Sequence, residues 1–95
     1  MTITKRVTFI AKEGSAEKMK ELLTAMVAPS KAEEGVIFYE IFQYEKNPNK
    51  FMAVETWADE KALDGHKASQ HYKIYKSSYE QYCEHKYSDE LEVLG

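Results

Sequence analysis

Three stretches decide how this chain folds: Glu34-Gly35-Val36-Ile37-Phe38-Tyr39-Glu40, Phe51 to Trp57, and Ala62-Leu63-Asp64-Gly65-His66-Lys67-Ala68-Ser69-Gln70-His71-Tyr72. The first opens a strand, Val36 to Tyr44, rich in the β-branched and aromatic residues that suit a pleated surface. Val36, Phe38, Phe42 and Tyr44 share one of its faces, and Ile37, Tyr39 and Ile41 share the other. In the second stretch Phe51, Ala53 and Trp57 alternate with Met52, Val54 and Thr56, so again neither face is clearly polar. A sheet that needs cover on both faces, in a chain of 95 residues, implies a partner subunit. The third stretch is helical and sets two histidines beside aromatic residues at the end of that sheet, which implies a pocket.

Outward from this centre the pattern is regular. Ile3 to Ala11 alternates, with Ile3, Lys5, Val7, Phe9 and Ala11 on one face of a strand. Lys12-Glu13-Gly14-Ser15 reads as a turn, with Ser15 as the cap of a helix and Glu17 at its positive end. Met19, Leu22, Leu23, Met26 and Val27 form one helical stripe. Pro29 predicts a kink or break, because it cannot bond the carbonyl of Ala25. Gly35 is a suitable stop, since it tolerates the left-handed conformation that ends helices. Glu45 to Lys50 reads as a polar turn before the returning strand. Asp59 caps a short helix that holds Ala62, Leu63 and His66 on one side, and Ser69 caps a second. Tyr72, Tyr75, Tyr79 and Tyr82 continue at helical spacing, and Tyr87 to Leu94 is the predicted last strand.

The resulting order, β-α-β-β-α-β, is α+β and ferredoxin-like: an antiparallel sheet with helices on one face. The uncovered face is too apolar to leave in water, and a second copy packed sheet to sheet is the simplest cover. A homodimer is therefore expected.

Length allows one domain, residues 1–95. With 43% hydrophobic and 31% charged residues the composition is that of an ordinary globular protein. Thirteen bases against 16 acids, with no basic block, argue against nucleic acid as a partner. No apolar run reaches membrane-spanning length, and Thr2 to Phe9 is too polar for a signal peptide. The lone Cys83 cannot form an internal disulfide, which makes the reducing cytoplasm the expected home. Cys83 reads as a small packed residue rather than a nucleophile. No glycine fingerprint for a dinucleotide is present. His66 and His71 lie five apart, which separates them on a continuous helix, and His85 is remote, so no metal site is expected.

The runs Ala32-Glu33-Glu34-Gly35, Tyr39-Glu40, Asn47-Pro48-Asn49-Lys50-Phe51, Glu55-Thr56-Trp57 and Leu63 to Tyr72 resemble the antibiotic biosynthesis monooxygenase (ABM) domain family, which includes quinol monooxygenases. The combination E-x-G, E-x-W and L-x-x-H-x-x-S-x-H carries the resemblance, which extends over roughly Thr4 to Leu94. It implies a dimeric α+β barrel and a cofactor-independent oxygenase acting with dioxygen on a small aromatic, a quinol or polyphenol. An electron-rich ring, once deprotonated, can itself give an electron to dioxygen. The protein then needs only a dry pocket, a base and a means to stabilise the anion.

The same resemblance ranks the residues. His66 matches the family histidine, and an imidazole with its ordinary pKa of ~6.5 suits proton transfer at neutral pH. The alternative is a histidine hydrogen-bonded in the core. His71 matches the second histidine, either at the substrate or steadying the helix start. Trp57 and Tyr72 are candidate pocket walls, and equally core residues. Glu55 and Glu40 lie in strands otherwise largely apolar; a buried carboxylate could serve as base, and a salt bridge across a dimer, with Arg6 and Lys5 facing the acids, is the favoured reading. The family's haem degraders use an asparagine, a tryptophan and a histidine where this chain places a basic residue near Arg6, His66 and Lys76, which argues against haem cleavage. Isomerisation of a small phosphorylated metabolite, another activity in the family, would require basic groups at the pocket, with Lys67, Lys73 and Lys76 nearby. A dimeric domain that binds a small aromatic without catalysis would need the pocket but no titrating group inside it.

Overall fold

The computed structural model describes all 95 residues. The elements run β1 (Ile3–Ala11), α1 (Ala16–Thr24), α2 (Val27–Lys31), β2 (Val36–Tyr44), β3 (Asn47–Trp57), α3 (Glu60–Lys67), α4 (Gln70–Ser78), a 3₁₀ turn (Tyr79–Tyr82) and β4 (Cys83–Leu91). The four strands form one antiparallel sheet in the order β2-β3-β1-β4. This is the ferredoxin-like arrangement, with the first and third strands central.

Odd-numbered residues of β1, of β2 at Tyr39 and Ile41, and of β3 from Phe51 to Trp57 point to the helices. Val7, Phe9, Ala11, Tyr39, Phe51, Ala53 and Trp57 are buried there against Met19, Leu23 and Met26, Leu63 of α3 and Tyr75 of α4. The register builds the other face in rows. Phe42, Met52, Thr8 and Tyr87 lie side by side, and so do Phe38, Thr56, Thr4 and Leu91. Phe42 and Tyr87 remain 49% and 50% exposed on that face, whereas Phe9 on the helix side is 2% exposed. Only the helix face is covered within one chain. No helix is long and apolar enough to cross a membrane.

Several boundaries differ from the sequence reading, each for a local reason. Ser15 makes no side-chain cap; Asp59 and Ser69 do, accepting from the N–H groups of Ala62 and Tyr72. The first helical region divides at Ala25 and Met26, ahead of Pro29. Pro29 then stands in the first turn of α2, where an N–H would have no helical partner. β3 starts at Asn47 rather than Phe51, which leaves only Glu45 and Lys46 as the turn. Pairing with β1 ends at Ile10–Lys50, so Pro48 has no ladder bond to donate on that side. β4 covers Cys83–Leu91, not Tyr87–Leu94: its ladder with β1 runs from Ala11–Cys83 to Thr4–Leu91 and ends there. Ile37 sits at a shift of register between Val36 and Phe38, which turns it out to solvent.

Candidate active site

The site lies where the chain breaks between α3 and α4. Ala68 ends α3, and Ser69 is already extended as the cap of α4. A continuous helix would part His66 from His71; this bend brings their ring centroids to 5.8 Å. The expected separation of the two histidines therefore does not hold.

Both imidazoles meet one carboxylate oxygen. His66 Nδ1 lies 2.6 Å and His71 Nε2 2.8 Å from Glu33 Oε2. A carboxylate can only accept, so both nitrogens carry protons. Ser69 supports the same assignment. Its single hydroxyl proton goes to the His66 carbonyl at 2.6 Å, so its contact of 3.2 Å with His71 Nε2 must be one it accepts. In the neutral tautomer with its proton on Nδ1, the unprotonated nitrogen of His66 is Nε2, which bonds no group of the chain. Glu33, His66 and His71 are also the residues that could hold a metal, since one ligand atom from each lies within 4.8 Å of the others.

His66 is 2% exposed. Its ring lies 4.5 Å from Trp57, 5.1 Å from Tyr72 and 5.6 Å from Tyr39, centroid to centroid. It lines a cavity of about 70 Å³ between the sheet and the helices. Tyr39, Glu55, Tyr72 and Tyr75 line it too, with Lys5, Lys67 and Lys86. An apolar cavity of roughly 150 Å³ is needed to hold benzene. A ring therefore enters this one only if exposed or half-buried lining groups such as Lys67 and Tyr72 move.

Burial sets the electrostatics. It pushes the Tyr39 and Tyr75 phenols far above the ordinary range, and raises those of Tyr72 and Tyr79. These hydroxyls stay protonated near neutral pH and can donate, but cannot take a proton as bases. Glu55, 7% exposed, accepts from the Trp57 indole N–H at 2.9 Å. It lies on the helix side of the sheet, so it forms no bridge across a dimer through the open face. Glu40 pairs within the chain, with Lys31 at 2.7 Å, and Arg6 pairs with Asp89 at 2.7 Å. The Cys83 thiol is raised by burial, which makes it a poor nucleophile.

The family model for antibiotic biosynthesis monooxygenase matches residues 2–77. The chain belongs to the antibiotic biosynthesis monooxygenase family. Among solved structures, PA3566 from Pseudomonas aeruginosa is 31% identical, with a TM-score of 0.94 over 99% of this chain and 95% of that one. A conserved Bacteroides thetaiotaomicron protein, described as "Possible Oxidoreductase", is 27% identical, with a TM-score of 0.87 over 97% of each chain. Rv0793 from Mycobacterium tuberculosis shares the fold at 22% identity, with a TM-score of 0.92 over 100% of this chain and 97% of that one. Comparison with proteins of curated function finds no match.

In this ABM domain the sequence candidates divide. His66 and Tyr72 line the cavity. Trp57 and His71 do not; Trp57 backs the His66 ring, and His71 shares its carboxylate. Lys67 is at the cavity, but Lys73 and Lys76 are not among its lining residues. Glu33 had no assigned role from sequence, although it opens the E-x-G motif. Lys5 and Tyr39 were also missed as lining residues. A lysine at position 5 on an otherwise apolar stripe was the available signal; Lys86 offered none.

Proposed function

We propose that this ABM protein is a cofactor-independent monooxygenase that oxidises a small quinol or polyphenol with dioxygen. The observation that carries the reading is the buried His66, which is held through Nδ1 by Glu33 and lines the cavity. Nε2 takes the phenolic proton, and the carboxylate of Glu33 stabilises the imidazolium that forms. The ring anion then gives electrons to dioxygen. One oxygen atom bonds a ring carbon and the other leaves as water, so a quinol becomes a hydroxyquinone. The substrate supplies all the electrons. Tyr72 meets the ring, while Trp57 and His71 hold His66 and Glu33 in place. Oxygen uptake on a panel of quinols and polyphenols, with metal-free protein, tests the activity. Absence of uptake across the panel would leave the binding role or the isomerisation of a small phosphorylated metabolite.

On the same reading the purified protein carries no flavin, haem or metal. Visible spectroscopy and elemental analysis check this. A stoichiometric metal would place Glu33, His66 and His71 as its ligands and remove His66 as the base.

The protein acts as a homodimer in the cytoplasm. Phe38, Phe42, Tyr87 and Leu91 stand exposed on the open sheet face, and Arg6 Nε on that face is buried without a partner. A second copy would cover the first group and can supply the missing acceptor. The interface should bury more than about 1,000 Å² in total. Light scattering should give twice the chain mass at micromolar concentration, and Phe42→Asp should shift it to the monomer. A wild-type monomer would refute the dimer.

A further inference from the structure

We propose that the ring accepted by this cavity carries an anionic group, a carboxylate or a phosphate monoester, and that Lys86 receives it. The inference rests on the quinol reading for the ring, but not for the anion.

Lys86 lies on β4 opposite Phe9 of β1. Its ammonium sits 4.6 Å from the ring centroid of Tyr79, 5.3 Å from that of Tyr75 and 5.8 Å from that of Phe9. No carboxylate pairs with it, since the ion pairs of the chain engage Arg6, Lys31, His66 and His71. Lys5 and Lys67 line the same cavity, also without an acidic partner. The single carboxylate on its wall, Glu55, is occupied by the indole of Trp57. Three lysines and one engaged carboxylate therefore line the cavity. A half-buried cation among aromatic rings, with no counter-ion, is completed by an anion brought in by the ligand.

The aromatic residues set the distance this ligand must span. The ring contacts run 5.1 Å from His66 to Tyr72 and then 5.4 Å from Tyr72 to Tyr75, with Lys86 at the far end. A phenolic oxygen at His66 and an anionic substituent toward Lys86 would place the ring along this wall. The acid–base state of Lys86 agrees. Burial, with repulsion from Lys76 and Lys5, lowers it to about 8, against the opposing effects of Cys83 and Glu55. The Tyr75 and Tyr79 phenols packed on it stay protonated. An arriving anion would restore the ammonium and draw in a proton.

The test uses the full chain and three probes: hydroquinone, 2,5-dihydroxybenzoate and 4-hydroxyphenyl phosphate. Binding is read by calorimetry and by the fluorescence of Trp57. At least one anion should bind about tenfold more tightly than hydroquinone. Whichever does identifies carboxylate or phosphate. Lys86→Arg should keep the preference, and Lys86→Gln should reduce it to about twofold or less. Near pH 8, binding of the anion should take up protons in wild type and not in Lys86→Gln. Equal affinity for all three probes, or a preference that survives in Lys86→Gln, would overturn the proposal. Should Lys86→Gln not fold, the wild-type preference and proton uptake still decide. Oxygen uptake is not a readout here, so failure of the monooxygenase reading would show separately.

Discussion

His66→Ala should lower oxygen-dependent turnover by about 10²–10⁴-fold per folded molecule, the usual contribution of a positioned general base. The geometry behind this is specific. His66 is almost fully buried, and its Nδ1 is held at 2.6 Å by Glu33. The tyrosines around it stay protonated, so no phenol can take over the proton. Alanine also leaves a hole beside Trp57 and one fewer hydrogen bond on Glu33. That should cost about 1–3 kcal/mol, within the 5–15 kcal/mol that a domain of this size has in reserve. Activity must therefore be normalised to folded protein, measured by near-ultraviolet circular dichroism. Glu33→Gln keeps the shape and an acceptor for Nδ1 but removes the charge, and should give a smaller loss. A variant with wild-type turnover per folded molecule would mean that His66 is a core histidine only.

Gly35→Ala should be the most damaging small substitution for the fold. Gly35 has φ of +84°, and a Cβ there would lie 2.5 Å from Cβ of Ala62. That atom is fixed to the backbone of α3 and cannot swing aside. The left-handed conformation and the forced overlap together should cost about 2–5 kcal/mol, seen as a lower urea midpoint. The Gly35 carbonyl also accepts from Ala58 N at 2.7 Å, so this close approach fastens the start of β2 to the segment leading into α3. Glu33 and His66 come from those two segments. Gly35→Ala should therefore weaken the site as well as the fold. Adding Ala62→Gly should restore the part due to overlap and not the part due to φ. If Gly35→Ala unfolds at the wild-type midpoint, this account of the glycine is wrong.

Much of the architecture was legible in local pattern. β1 and β2 fall where alternation placed them, and Asp59 and Ser69 cap as their residue type suggests. Errors arose where a partner segment sets the limit. Leu91 and Val93 alternate like a strand, yet the ladder with β1 stops at the Thr4–Leu91 pair. Pro48 reads as a turn residue, yet it lies in β3 beyond the end of the β1 ladder. Ser15 has the chemistry of a cap, but its backbone does not take the extended conformation that Ser69 adopts.

By itself the sequence determined the α+β order, the sheet with two apolar faces and the histidine motif beside aromatic residues. These follow from period and residue type, which are local properties of the chain. Tertiary structure alone decided which atoms meet. Glu33 lies 33 residues before His66 and 38 before His71, and no spacing rule joins them. The bend at Ser69 and the tight seat of Gly35 on Ala62 bring all three together. The cavity lysines were likewise set by register and packing: Lys5 stands beside Glu55, and Lys86 stands across from Phe9. A side chain's environment is fixed by neighbours distant in sequence, which is why His66 could be named from its motif while its carboxylate could not.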